Sequence, residues 1–392
     1  METQPTPENE ENPRKNRARD RHQRRKERTQ GMVYPTNVPR SQPRQIRPTG
    51  SFQIPKIQFP TGSNRVILYG IAGVAFIVLV IFALGRLKNN NNATDLEPNA
   101  IWLGTQWTYD NPDDAALAAL VQRFRDNHIG TAYAFVSLLQ PDGSWTDTNK
   151  LDSVKAFADR FKKLLPKVQL YGWLSIGSQG VDGNNRLGDT NIQQNISDFS
   201  QRMIGDFDFN GVFLNVVPVI NGDESYLSLL RKVRATIGEN AEMAVAVPPD
   251  WTPTDAGITV PKQIEPGTIW DESYKQRVAL LADQIFVAAY NAGFDNPDDY
   301  SAWIAYQVKT YAQSIADLAT TTELIIGVPT YDAAPPDHDP AIENVQSAIK
   351  GVITGLSEAG TAAQFVRGIG IYAEWETSAD EWNEIKTLWI DR

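Results

Sequence analysis

The feature that most narrows the fold is an eightfold alternation that fills residues 99–392. Eight apolar runs recur: NAIWLGTQW (99–107), TAYAFVSLL (131–139), VQLYGWLSIG (168–177), GVFLNVVPV (211–219), AEMAVAVPP (241–249), QIFVAAYN (284–291), ELIIGVPTY (323–331) and GIGIYAEWE (368–376). Each is followed by a stretch with helical character, near 113–127, 150–165, 191–205, 223–237, 271–281, 298–318, 341–358 and 378–390. Near-continuous apolar runs suit strands buried on both faces, as in a parallel sheet. Eight strand–helix pairs predict a (β/α)8 TIM barrel, an α/β fold. An open doubly wound sheet would normally carry a Gly-rich phosphate turn after an early strand, and none is present.

In such a barrel, function sits at the C-terminal ends of the strands and in the loops beyond them. The longest of these loops follows strand five and reads PPDWTPTDAGITVPKQIEPGTIW, with Trp251 and Trp270. Further aromatics cluster at strand ends: Trp107, Tyr109, Trp173, Tyr290, Tyr331, Tyr372 and Trp375. Flat aromatic faces stack on sugar rings, so this mouth suits carbohydrate. The plainer reading is packing, as for most aromatics, and it is strongest for Trp102, Trp173 and Tyr372, which lie within strands.

The N-terminal quarter is a different object. Residues 1–65 carry 14 Lys and Arg against 6 Asp and Glu, whereas the remainder carries 23 against 41. Residues 1–64 are polar, Pro-rich and short of large aliphatics, and are expected to be a disordered basic tail. Residues 66–85, VILYGIAGVAFIVLVIFALG, hold no charge and span roughly 30 Å as a helix, the thickness of a hydrocarbon core. A single transmembrane helix over 65–86 is therefore expected, then a linker over 87–98 and the barrel over 99–392. The apolar run is too long, and its leader too long, for a cleaved signal peptide.

Arginine enrichment on the N-terminal flank orients the span, placing the tail in the cytoplasm and the barrel outside the cytoplasmic membrane. The cluster RKNRARDRHQRRKER (14–28) has nine basic residues and two acids. It would serve as a topology determinant or contact anionic lipid, at about 1 kcal/mol per basic residue near the surface. Nothing in it specifies bases, so nucleic acid is not an expected partner. Gly70 and Gly73 do not form a Gly-x-x-x-Gly pair, so helix dimerisation has no support.

The chain has no cysteine and three histidines, His22, His128 and His338. Disulfides and cysteine nucleophiles are excluded, and a histidine-rich zinc site is not expected. DGNNRLGD (182–189) has the Asp, Asn and Gly of a calcium loop, but Arg186 stands where an oxygen ligand is needed. PDHDP (336–340) could present Asp337, His338 and Asp339 to a cation. Adjacent side chains on an extended loop diverge, so a solvated loop is expected there. No metal and no cofactor are expected.

Three strand ends resemble family 18 glycoside hydrolases, the chitinase-like barrels. That family has Ser-x-Gly-Gly at the end of strand three, matched here by Ser175 and Gly177, with Ser178 in the last place. It has Met-x-Tyr-Asp at the end of strand six, where Tyr290 is kept and Asn291 replaces the acid. Its strand-four pattern is Phe-Asp-Gly-x-Asp-x-Asp-x-Glu-Pro. Here Phe209, Gly211 and Pro218 keep the frame, while Asn210, Phe213, Asn215 and Val217 occupy the four acid positions. The resemblance implies that the last acid protonates the leaving oxygen and that the acid two before it orients the substrate's acetamido group. Val217 cannot donate a proton, and Asn215 cannot balance an oxazolinium charge. Loss of a positioned general acid alone forfeits about 10²–10⁴-fold in rate.

Three functions follow from this pattern. The favoured one is a non-catalytic barrel that binds an N-acetylated polysaccharide or peptidoglycan-type glycan through Trp107, Tyr109, Ser175, Asn215, Trp251, Tyr290, Asn291, Tyr331 and Trp375. The second is a glycosidase with relocated acids, drawn from Asp110, Asp250, Asp332, Glu374 and Glu376. Glu374 leads that group because it lies inside a strand-end run, although solvated acids and helix caps are the plainer reading of all five. The third is a cell-envelope interaction scaffold.

Overall fold

The computed structural model describes residues 97–250, 256–318, 320–332 and 338–392. The basic tail, the apolar run at 66–85, most of the linker and Trp251 lie outside the described residues. Among the described residues, no helix is long and apolar enough to cross a membrane.

Eight strands pair in parallel and in sequence order to close a barrel. They are β1 (Asn99–Leu103), β2 (Ile129–Leu139), β3 (Gln169–Gly177), β4 (Gly211–Val217), β5 (Glu242–Val247), β6 (Gln284–Val287), β7 (Glu323–Pro329) and β8 (Val366–Tyr372). The helices between and after them are α1 (Asp114–Asp126), α2 (Leu151–Leu164), α3 (Thr190–Gly205), α4 (Glu224–Ile237), α5 (Glu272–Ala279), α6 (Pro297–Ala316), α7 (Val345–Ala359) and α8 (Ala379–Ile385). Four of them start on an aspartate whose side chain accepts first-turn backbone N–H groups: Asp113, Asp189, Asp223 and Asp271. Capping thus accounts for many of the acids that follow the strands.

Some expected strands end early. After β1, the segment Thr105–Thr108 forms one helical turn, which puts Trp107 on a helix rather than on a strand. β6 stops at Val287 because Ala289 N–H and Tyr290 N–H turn back onto the carbonyls of Val287 and Ala288, at 2.9 and 3.0 Å. Asn291 then takes a left-handed conformation, with φ 58°.

The barrel interior is a packed aromatic core. The Trp102 ring meets Tyr133, Trp173, Phe213, Phe286 and Tyr372 edge-on, at centroid distances of 5.8, 4.6, 4.7, 5.1 and 4.9 Å. Such edge-to-face contacts match the positive rim of one ring to the negative face of another. Phe213 also stacks on Tyr133 at 4.1 Å and 22°. These contacts fix which residues of each strand face inward, because side chains alternate along a strand.

The foot of the barrel carries charge. Arg234 pairs with Asp283, and Arg367 with Glu323 at 2.6 Å. Removal from water, then repulsion from Asp283 and Glu323, pushes the Glu242 carboxyl up to about 7. Part of that residue remains exposed, so solvent screening reduces the energetic weight of the shift. The folded state therefore holds this proton more tightly than the unfolded chain does. Its contribution to stability is highest below the ordinary glutamate range and falls as pH rises through it to about 7. Glu242→Gln should leave the melting temperature unchanged at pH 4 and raise it at pH 8. An unchanged or lower value at pH 8 would contradict this.

Candidate functional site

The site begins on β4. At its foot, Asn210 Oδ1 accepts from Leu170 N–H at 3.0 Å and the Asn210 backbone N–H donates to the Leu170 carbonyl at 2.8 Å, so this residue ties the start of β4 to β3. Gly211 is needed for a close approach: a Cβ there would lie 2.5 Å from the Glu242 carbonyl and 2.6 Å from the Tyr171 ring. Phe213 lies in the aromatic core and is fully buried. By alternation Asn215 and Val217 share its inward face. Asn215 is buried abreast of Ser175, and the partly exposed Val217 lies abreast of Gly177.

An aromatic wall rises beyond β6, β7 and β8. Tyr290 lies parallel to Tyr372 at 5.1 Å and 10°, and Tyr331 meets both edge-on at 5.9 and 5.4 Å. Trp375 stands edge-on to Tyr372 at 6.0 Å and parallel to Trp173 at 6.4 Å and 11°. Tyr290, Tyr331, Tyr372 and Trp375 all stay partly exposed. Tyr331 O–H donates to Asn291 Oδ1, so the position aligned with the family's strand-six acid helps to hold the wall. The fold therefore brings Tyr290, Asn291, Tyr331 and Trp375 into one surface and places Ser175 with Asn215 on neighbouring strands.

Two expected residues take other positions. Trp107 is mostly buried, and its Nε1–H donates to Glu374 Oε2 at 2.6 Å. Tyr109 is mostly buried as well, with its O–H on the Val136 carbonyl at 2.7 Å and its ring 5.9 Å from Phe135. Burial, then the Asp147 charge, pushes the Tyr109 phenol well above its ordinary range.

The acids divide. Asp110 and Asp332 are exposed, whereas Asp250, Glu374 and Glu376 are buried, correcting the expectation that these three are solvated acids or caps. Asp250 pairs with the buried Lys275 at 2.6 Å. Lys275 Nζ also lies 3.1 Å from Glu272 and 5.5 Å from the Tyr311 ring centroid. Glu374 accepts at Oε2 from Gln106 at 2.9 Å and from Trp107, and at Oε1 from Arg123. Burial raises the Glu374 carboxyl, while Trp107, Arg123 and Gln106 pull it back down. Burial outweighs these donors, so the carboxyl sits above the usual glutamate range, while both of its oxygens are engaged by N–H groups of the protein itself.

The loop at 336–340 also departs from expectation. His338 is 1 % exposed, stacked on Tyr331 at 4.4 Å and 21°, with Nδ1 3.2 Å from Glu343 Oε2. The buried Glu343 carboxylate gathers donors, taking the Ala292 and Phe294 N–H groups as well, and this draws the histidine inward. Asp337 lies outside the described residues. In the 182–189 loop, Arg186 is a strut that donates to the carbonyls of Gly177, Leu139 and Gln140. Among the described residues, no group of three His, Asp or Glu is placed to hold a metal ion.

The residues that sequence reasoning missed are Gln106, Arg123 and Glu343, and it read His338 as part of a solvated loop. Arg123 and Gln106 meet Glu374 across separations of 251 and 268 residues, which leaves no local pattern to read.

No family model matches this sequence, and no curated protein does. Solved structures do match the fold. A class V chitinase from Pseudomonas fluorescens Pf-5 aligns at 13% identity over 74% of this chain and 99% of its own, with TM-score 0.50. The C-terminal domain of a candidate chitinase from Desulfitobacterium hafniense DCB-2 aligns at 10% identity over 75% of this chain and 98% of its own, with TM-score 0.51. The chain thus has the fold of the chitinase-like (β/α)8 barrels.

Proposed function

We propose that this chitinase-like barrel binds an N-acetylated glycan, such as a cell-wall polysaccharide or peptidoglycan strand, without hydrolysing it. The observation that carries the reading is the fate of the acid positions on β4. Asn210 brackets the barrel's foot, Phe213 is core, and Asn215 and Val217 leave the inward face of β4 without a carboxyl. Opposite them stands a partly exposed aromatic wall of Tyr290, Tyr331, Tyr372 and Trp375. Ring faces suit the C–H faces of a pyranose, and the Asn215 amide can both donate to and accept from an acetamido group.

A glycosidase would need a carboxyl with a proton to give. Asp250 and Glu374 each face a cation instead, which favours binding over catalysis. On the same reading, residues 66–85 anchor the barrel outside the cytoplasmic membrane, and the 14–28 cluster contacts anionic lipid on the inner side.

Calorimetric titration of the full-length protein with tetra-N-acetylchitotetraose should give saturable binding. The deacetylated tetramer should bind at least about tenfold more weakly, since the amide contact at Asn215 is lost. Failure of both sugars to bind would remove the reading.

A further inference from the structure

Trp375 is the aromatic that spans the mouth from β8 towards Trp173, and three independent contacts hold the chain beside it. The residue before it, Glu374, is 6 % exposed and receives Gln106 and Trp107 from the turn after β1 and Arg123 from α1. Its backbone N–H donates to the Trp102 carbonyl at 3.2 Å. Gly104 packs flush against the Trp375 ring, since a Cβ there would lie 2.9 Å from its Cε3. Arg123, the cationic partner, lies 5.4 Å from the centroid of the Trp382 ring on α8. One carboxylate therefore ties the turn after β1, α1 and the end of β8 together at the base of the platform.

We propose that Glu374 is a positioning residue: its carboxylate, held by Gln106, Trp107 and Arg123, sets the orientation of Trp375 at the mouth. The inference rests on the reading above only in giving Trp375 a glycan to face. The restraint itself is a property of the fold. A buried carboxylate with three side-chain donors is rigid, because losing any partner strands a polar group away from water. The peptide that follows inherits that rigidity, and the adjacent indole is held parallel to Trp173.

The test uses full-length protein carrying 5-fluorotryptophan, read by fluorine NMR, together with affinity for tetra-N-acetylchitotetraose. Trp375→Phe identifies the Trp375 resonance by its disappearance. Glu374→Ala should shift or broaden that resonance together with that of Trp107, while the remaining tryptophans, apart from Trp173 stacked on Trp375 and Trp382 beside Arg123, keep their positions. It should weaken sugar binding about tenfold, and the loss should disappear when Glu374→Ala is combined with Trp375→Ala, as expected for residues acting through one another. An unmoved Trp375 resonance, or affinity losses that simply add, would overturn the inference. Should Glu374→Ala fail to fold, Trp107→Phe removes one donor while keeping an aromatic ring and should move the same resonance to a smaller degree; no movement there would equally overturn it. If the unsubstituted protein does not bind the sugar, the binding reading falls, and the fluorine spectra still decide the role of Glu374.

Discussion

Phe213→Asp is expected to unfold the barrel rather than to restore an acid. Phe213 is fully buried, stacked 4.1 Å from Tyr133, with Trp102 at 4.7 Å and Phe286 at 6.1 Å. Truncating such a phenylalanine costs about 3–5 kcal/mol through lost contacts and the cavity left behind. An uncompensated carboxylate among aromatic rings adds several kcal/mol more, or forces the group to take up a proton. The sum approaches the whole stability of an ordinary domain, about 5–15 kcal/mol. Circular dichroism and urea titration should find little folded protein. Val217→Glu should fold, because that position is partly exposed and a side chain there reaches solvent. A stable Phe213→Asp barrel would mean that the interior at this level is open, as in an enzyme, and not packed.

The second large effect concerns Lys275. Its ammonium and the Asp250 carboxylate lie 2.6 Å apart, with side chains 6% and 9% exposed. Lys275→Ala leaves a carboxylate in a dry site without its cation, and removing one partner of a buried pair costs about 3–5 kcal/mol. The double variant Asp250→Asn/Lys275→Met should recover most of the loss, since no unpaired charge remains. Denaturant midpoints of the two variants provide the comparison. A cost below about 1 kcal/mol for Lys275→Ala would show that Asp250 is well solvated. Asp250 would then be available as an acid at the end of β5, and the glycosidase reading would regain a candidate.

The barrel was legible in the sequence because its strands are apolar on both faces and four of its helices begin at a capping aspartate. The eight apolar runs and the helical stretches between them map onto β1–β8 and α1–α8 in order. What local pattern did not carry was the use made of polar groups. Glu374 looked like an open acid because its neighbours in sequence are Ala373 and Trp375; the donors that enclose it come from the turn after β1 and from α1. His338, within a polar run, looked solvated, yet Glu343 draws it against Tyr331. Trp107 and Tyr109 have the composition of a sugar platform, and each uses its polar tip inside the fold. By contrast Tyr290, Tyr331 and Trp375 fall together because the ends of β6, β7 and β8 are adjacent, which the barrel order dictates.

Binding and turnover can be separated in one sample. Full-length protein saturated with tetra-N-acetylchitotetraose, at the concentration fixed by calorimetry, is incubated for a day, and the sugar is then analysed for shorter oligomers and new reducing ends. Binding without hydrolysis predicts a saturable titration and tetramer recovered intact. Shortened sugars whose appearance stops in Glu374→Gln or Asp250→Asn would contradict it, and would make this barrel an enzyme whose acids have moved.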